Sequence, residues 1–315
     1  MDLLDTPLRV TWELHGTRES TPAEEPLRIA ERLCAAGVFF VTLEERPLAH
    51  PRIHEILQVL SHGGVRILLV FTGSAAEVAG LVPGLPLDAL LLDAGAILSG
   101  NGENFSDLAR VVEQARENGY QPALQMTPHR GNLHLLLPLL EFGRDLGVGR
   151  IKLPNTRIGD RFSPSAAAGI PGPDELEKLR RLLGPDPENH RRGVNLEVHD
   201  LFIWELLFPR GEQGGRSEYG GCQAANSLGH VDAEGHLLPC SSWPEKLGSL
   251  HQHSLEELWS SPKRLQIRQE IAEVPQGCRG CRDYPLCLGG CRGLARFFNR
   301  EAGYRDLMCR EPRSD

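Results

Sequence analysis

Two hydrophobic rhythms alternate along the first two hundred residues. Leu8 to Leu14 alternates apolar and polar side chains and includes β-branched positions, the period-two pattern of a strand. Ala23 to Ala36 then places its apolar residues at helical spacing, and Gly37 stops the run. Val38 to Leu43 is a short, continuous apolar strand, and residues 51 to 62 read as a helix ended by Gly63-Gly64. Val65 to Phe71 is another buried strand. The alternation continues with a strand near 88–93, a helix near 104–118, a strand near 121–127, a helix near 133–146 and a strand near 149–153. A Gly/Pro-rich loop at 162–173 leads to a helix over about 174–183, and Val194 to His199 supplies a last strand. Strand–helix alternation predicts an α/β fold whose parallel sheet is joined by helical crossovers. About six or seven such units fit before residue 200, fewer than the eight of a closed barrel, so a partial (β/α)6-type barrel is expected over residues 1–208.

The pattern changes after residue 208. Residues 209–221, with five glycines, read as a linker. The segment from Gly229 to Cys240 has the form of a β-hairpin turning at Ala233-Glu234-Gly235, and Ser254 to Ser260 forms a short capped helix carrying Trp259. Lys263 to Glu273 extends that helix or forms another. Residues 222–315 therefore read as a small second domain.

Composition narrows the possible roles. A formal net charge of -8 argues against a general nucleic-acid binder. The N-terminus shows no signal-peptide pattern, and no stretch approaches the roughly 20 apolar residues of a membrane span. A cytoplasmic location follows as the expectation, with thiols reduced and disulfides disfavoured. Seven of the eight cysteines lie from Cys222 onward, in the order Cys222, Cys240, Cys278-x2-Cys281-x5-Cys287-x3-Cys291, Cys309. Such a thiolate array holds metal. Four thiolates complete a cubane iron–sulfur cluster, and Gly289-Gly290 allows the backbone before Cys291 to approach one closely. Zinc is the competing reading, because Cys278-x2-Cys281 has zinc-knuckle spacing and His230 or His236 could complete a second site. The remaining cysteine, Cys34, lies on a helix and reads as a small buried apolar residue.

The cysteine order resembles the SPASM domain, the C-terminal extension of radical SAM enzymes that mature peptides and other enzymes. The resemblance runs over about 222–309 and extends to Asp232-x2-Gly235-x3-Pro239-Cys240, Leu247-Gly248, Ser254-Leu-Glu-Glu-Leu-Trp259 and Cys287-Leu-Gly-Gly-Cys291. It implies two [4Fe–4S] clusters, the first held by Cys222, Cys240 and Cys291 with its fourth ligand open, the second by Cys278, Cys281, Cys287 and Cys309. The preceding region resembles the radical SAM partial barrel without its engine. After the first strand that family has Cys-x3-Cys-x2-Cys; here the chain runs His15-Gly-Thr-Arg-Glu-Ser20, with no cysteine. After the second strand the family has Gly-Gly-Glu-Pro-Leu, which receives the amino group of S-adenosylmethionine. Here the residues are Glu44-Glu45-Arg46-Pro47-Leu48, and a cationic Arg46 would repel an ammonium. No S-adenosylmethionine binding is expected.

This combination is similar to the SPASM-domain accessory proteins of the GeoRSP system. It implies a protein that serves a radical SAM/SPASM maturase alongside a PqqD-like peptide-recognition protein or a precursor peptide, as electron conduit, substrate holder or both. Two other readings stand beside it: a SAM-independent enzyme using an open iron of the first cluster, and a zinc-stapled interaction module. Glu44, Glu45, Arg46 and Thr72 are expected at the barrel mouth, with Lys152 and His199 near later strand ends. Glu13-x-His15 offers two metal ligands, too few for a site. Trp204 and Phe208 read as domain-interface packing on a short apolar helix.

Overall fold

The computed structural model describes residues 3–15, 25–100, 102–158, 168–208, 220–310 and 312. The chain divides into two compact units, each discontinuous in sequence: Met1–Ala123 with Gln223–Glu270, and Leu124–Cys222 with Ile271–Asp315. The expected linker lies almost wholly outside the described residues, as do Gly16 to Ser20 of the segment after the first strand.

In the first unit, β1 (Arg9–Glu13), β2 (Phe40–Glu44), β3 (Arg66–Phe71) and β4 (Ala89–Asp93) are parallel neighbours in that order. Helices Glu25–Ala35 and Ile53–His62 form the first two crossovers and pack on each other. Their apolar stripes explain why they form: Ile29, Ala30 and Leu33 on one, Ile53, Ile56, Leu57 and Leu60 on the other, all buried. Fully burying a leucine of this kind stabilises by about 1.5–3 kcal/mol. Val41, Leu43, Ile67, Leu69, Leu90 and Leu92 are almost completely buried on one face of the strands. The opposite face carries a second cluster, Leu68, Val70, Ala89, Leu91 and Ala123. Burial on both faces gives these strands their continuous apolar runs, as expected for a covered parallel sheet.

One pairing was not foreseen from the sequence. The hairpin β8 (Leu228–Val231) and β9 (His236–Leu238) does not stand apart in the cysteine-rich tail. β8 pairs in parallel with β1, with Thr11 opposite His230 and Trp12 opposite Val231. β10 (Gly248–Ser249) adds antiparallel to β9. The turn closes where expected: Asp232 Oδ1 accepts the Glu234 and His236 N–H groups, and Gly235 adopts φ +77°. A Cβ there would lie 2.2 Å from His251 Nε2. Helix Leu255–Trp259 carries a Ser254/Glu257 capping box, and Trp259 Nε1 donates to Leu4 O at 3.2 Å. Arg264, almost fully buried, donates from its guanidinium to the carbonyls of Ala225, Trp259 and Leu4.

The second unit contains β6 (Arg150–Leu153) between the end of β5 (Pro122–Gln125) and β7 (Asn195–Val198), all parallel. Helix Leu136–Asp145 covers one face, where a Cβ on Gly143 would meet Ile151 at 2.8 Å and Leu124 at 3.8 Å. The expected helix over 133–146 begins as a 3-10 turn, Leu133–Leu135, and Pro138 sits in the first turn of the α-helix proper, where no backbone donor is needed. Helices Pro173–Leu183 and Leu201–Leu207 follow the expected positions. Trp204 and Phe208 stack on each other at 5.6 Å, and the Arg191 guanidinium lies 4.5 Å from the Phe208 ring. Short helices at Ala75–Ala79, Ala94–Gly100 and Pro187–Arg191 are additions to the sequence expectation. Five to seven residues are too few to display a 3.6-residue period.

Candidate metal centre

Within the second unit the chain from residue 276 onward is built by close backbone approach. Cys278 ends a 3-10 turn, Gln276–Cys278, whose Gly277 N–H donates to Gly303 O at 2.8 Å. A Cβ on Gly277 would fall 2.0 Å from Ala302 O, so glycine alone permits this contact. It holds the segment bearing Cys278 against the segment that leads to Cys309. Cys287 ends the short helix Tyr284–Cys287, after which Leu288, Gly289 and Gly290 all take positive φ. Three successive left-handed residues reverse the chain between Cys287 and Cys291. Cys291 in turn packs against Ile158, Ile170 and Leu294.

The electrostatics show which thiols share a neighbourhood. Cys278 is pushed up to about 11, first by burial and then by the nearby Cys287, with Cys281 adding to it and Arg292 and Arg305 opposing. Cys309 is likewise pushed up to about 11, by burial first; Arg305 opposes, and Asp306, Cys278 and Cys287 add to the rise. Cys278, Cys281, Cys287 and Cys309 thus form one set whose thiolates would repel one another unless a cation lay among them. That is the donor chemistry of a metal or cluster site, where binding displaces the thiol protons. Residue types fit iron–sulfur ligation: four thiols, two cationic arginines and glycine-rich backbone. Cys222 and Cys291 are half-buried in the same unit, where Gly221 lies against Leu288 next to Cys287. Cys240 belongs to the first unit, half-buried and bridged to Trp243.

Two histidines weighed as zinc ligands are otherwise engaged. His230, 2% exposed, has Nδ1 2.6 Å from Thr11 Oγ1 and Nε2 3.1 Å from Glu13 Oε1. Both ring nitrogens are used, so neither offers a lone pair to zinc, and this contact gives Glu13 a buried partner other than the His15 considered from sequence. His236 Nδ1 lies 3.2 Å from both oxygens of Asp232, which also meets Lys246. Asp232, Glu234 and His236 can bring their ligand atoms within 4.8 Å of one another, yet the Asp232 interactions are those of a hairpin turn. Cys34, half-buried on its helix, is pushed up chiefly by burial and sits where a Cβ on Gly63 would strike its Sγ. It behaves as the packing residue expected.

At the C-terminal ends of β2 and β3 lie Glu44, Glu45, Arg46 and the exposed Thr72, grouped as the sequence suggested. Glu45 and Arg46 hold φ +63° and +61°, two consecutive left-handed residues, neither of them glycine. Ser74 hydrogen bonds hold Glu77 below the usual carboxylate range, and the Arg46 charge adds to this. In the second unit, register sets Gln125, Lys152 and Glu197 side by side, on the face turned away from helix Leu136–Asp145. Lys152 is 5% exposed, the buried Gln125 Oε1 accepts no hydrogen bond among the described residues, and His199 Nε2 meets Glu197 Oε1 at 3.1 Å. Gln125 and Glu197 were missed from sequence; the two-residue step from Glu197 to His199 on one strand face was the available signal.

The comparisons bear on this centre directly. Residues 222–282 match the SPASM iron–sulfur cluster-binding domain. The SPASM match contains Cys222, Cys240, Cys278 and Cys281. Over nearly the whole chain the fold is radical-SAM-like. It superposes on SuiB of Streptococcus suis bound to S-adenosylmethionine with a TM-score of 0.69, at 15% identity, covering 98% of this chain and 78% of that one. Native anSMEcpe with bound AdoMet and Cp18Cys peptide gives 0.61, at 13% identity, covering 95% and 93%. In sequence, the PqqA peptide cyclase of Methylorubrum extorquens (strain PA1) is 24% identical over 300 residues, 90% of this chain and 75% of the relative. That of Ruegeria pomeroyi is 21% identical over 316 residues, 94% and 80%. Among the described residues, no helix is long and apolar enough to cross a membrane.

Proposed function

We propose that this chain is an iron–sulfur accessory protein of peptide modification, carrying two [4Fe–4S] clusters and unable to cleave S-adenosylmethionine by itself. The observation that carries the reading is the thiol set Cys278, Cys281, Cys287 and Cys309, gathered in one unit beside Arg292 and Arg305. These four would hold one cluster. Cys222, Cys240 and Cys291 would hold the other, with a fourth ligand still to be supplied. Clusters so placed supply one-electron transfer. The peptide assignment is supported by the PqqA peptide cyclases and by SuiB solved with its precursor peptide SuiA.

The loss of the primary reaction rests on the sequence. Before Cys222 the chain has one cysteine, Cys34, so it lacks a Cys-x3-Cys-x2-Cys motif. Arg46 stands where the amino group of S-adenosylmethionine would need an acid. The glycines and the carboxylate of the family pattern are replaced by Glu44, Glu45 and Arg46, of which Glu45 and Arg46 hold left-handed backbone. The chain then acts with a radical SAM maturase, passing electrons to it or holding its peptide.

Anaerobically purified protein tests this in three measurements. Iron and sulfide near eight of each per chain support two cubane clusters; about two zincs with little iron would replace the redox role with a structural one. Reductive cleavage of S-adenosylmethionine by the chain alone would overturn the accessory assignment. Failure to bind the co-encoded maturase or its peptide would leave the clusters without the proposed partner.

A further inference from the structure

We propose that Asp306 is a positioning residue that ties the ligand loops of the two clusters together. The inference rests on the assignment of Cys291 to one cluster and Cys309 to the other. Asp306 is 4% exposed. Its Oδ2 accepts the Cys291 N–H at 2.6 Å, its Oδ1 accepts the Met308 N–H at 2.7 Å, and its own carbonyl accepts the Cys309 N–H at 3.1 Å. One residue thus fixes the backbone of a ligand from each set.

The surrounding chain is shaped to admit this carboxylate. Gly290 has φ +63°, and a Cβ on it would lie 2.4 Å from Asp306 Oδ2 and 2.8 Å from its Cγ. Only glycine lets the carboxylate reach the Cys291 N–H. Cys291 stands at the N-cap of helix Arg292–Phe298 and makes no side-chain cap, so Asp306 takes a donor that the helix start leaves over. Both carboxylate oxygens are used, and they are used differently. An asparagine can accept at one oxygen only, turning its NH2 group toward the other N–H donor. Donors and charge beside ligating sulfurs set cluster potentials, and backbone partners orient the ligands. Through the Met308 N–H the Asp306 side chain also holds the residue next to Cys309. Displacing it should therefore be felt at both clusters.

The test uses the full chain, purified and reconstituted anaerobically, as wild type, Asp306→Asn, Gly290→Ala and the control Asp88→Asn. Asp88 also accepts a backbone N–H, from Ile67 at 2.6 Å, but in the first unit. Iron and sulfide are counted, and the midpoint potential of each reduced cluster is followed by electron paramagnetic resonance. The expected result is about eight irons in wild type, potentials displaced at both clusters by Asp306→Asn, and wild-type potentials in Asp88→Asn. Gly290→Ala, which keeps the carboxylate but pushes it from Cys291, should displace them as well and decides the matter if the asparagine variant does not fold. Unchanged potentials on an eight-iron protein, or a displacement at one cluster alone, overturn the role of Asp306 and leave the two-cluster reading intact. Four irons or fewer in wild type overturn both.

Discussion

The paired left-handed residues after β2 permit a sharp test of how this loop is held. An L-residue in that region costs about 1–2 kcal/mol from the clash of Cβ with its carbonyl oxygen. Glycine escapes the clash but loses more backbone freedom on folding, roughly 0.5–1 kcal/mol. Replacing Glu45, at φ +63°, by alanine and by glycine removes the same side-chain contacts in both variants. The difference between them isolates the backbone. Glycine should be the more stable by about 0.5–1 kcal/mol, the reverse of the order in a helix interior, where alanine leads by about 1 kcal/mol. Urea unfolding followed by tryptophan fluorescence reads the correct unit, because Trp12, Trp243 and Trp259 lie with Glu45 in the first and only Trp204 in the second. At a slope of about 2 kcal/mol per molar, the midpoints should differ by about 0.25–0.5 M. Equal midpoints, or a higher one for alanine, would show that this loop does not hold its left-handed turn in solution.

Other expectations follow from buried groups. Asp200 is held above the usual carboxylate range by burial, while its oxygen accepts the Phe202 and Ile203 N–H groups. A raised folded-state value means that the stability it contributes is full below about pH 4 and declines as pH rises toward neutral. Asp200→Asn keeps the cap and should gain on wild type across that window; a pH-independent difference in unfolding free energy would refute this. Cys278 and Cys309 obey the same sign at higher pH. The metal-free protein should lose stability as pH rises from about 9 toward 11, and Cys278→Ala with Cys309→Ala should flatten that decline in thermal melts. Arg264→Ala strands three backbone carbonyls and should cost about 3 kcal/mol in chemical unfolding. Arg264→Lys should recover less than half of it, since an ammonium cannot reproduce the fork.

Much of this molecule was legible before any coordinates. The strands Phe40–Glu44 and Arg66–Phe71 and the helices Glu25–Ala35 and Ile53–His62 fall within a few residues of their hydrophobic patterns, because in each case local periodicity and tertiary burial agree. Glu44, Arg46 and Thr72 group at strand ends for the same reason. What could not be read was long-range pairing. Nothing in Leu228–Val231 announces that β1 will be its partner, since an apolar strand fits any free edge. The Thr11–His230–Glu13 contact follows from that register and was hidden with it. Asp306 was invisible for a different reason. A lone aspartate three residues before a cysteine has no periodicity, and its meaning lies in Gly290, which leaves it room.

The parallel pairing of β1 with β8 bears on how the protein is made. β1 leaves the ribosome well before the strand that covers its second edge, which follows more than two hundred residues later. At translation rates of about 5–20 residues per second, that edge waits roughly 10–40 s for its partner. Unpaired parallel edges are slow to satisfy and prone to join other chains. The nascent first unit is therefore a natural client for chaperones, and a gene fragment ending before the cysteine-rich region should yield aggregates in place of an isolated barrel.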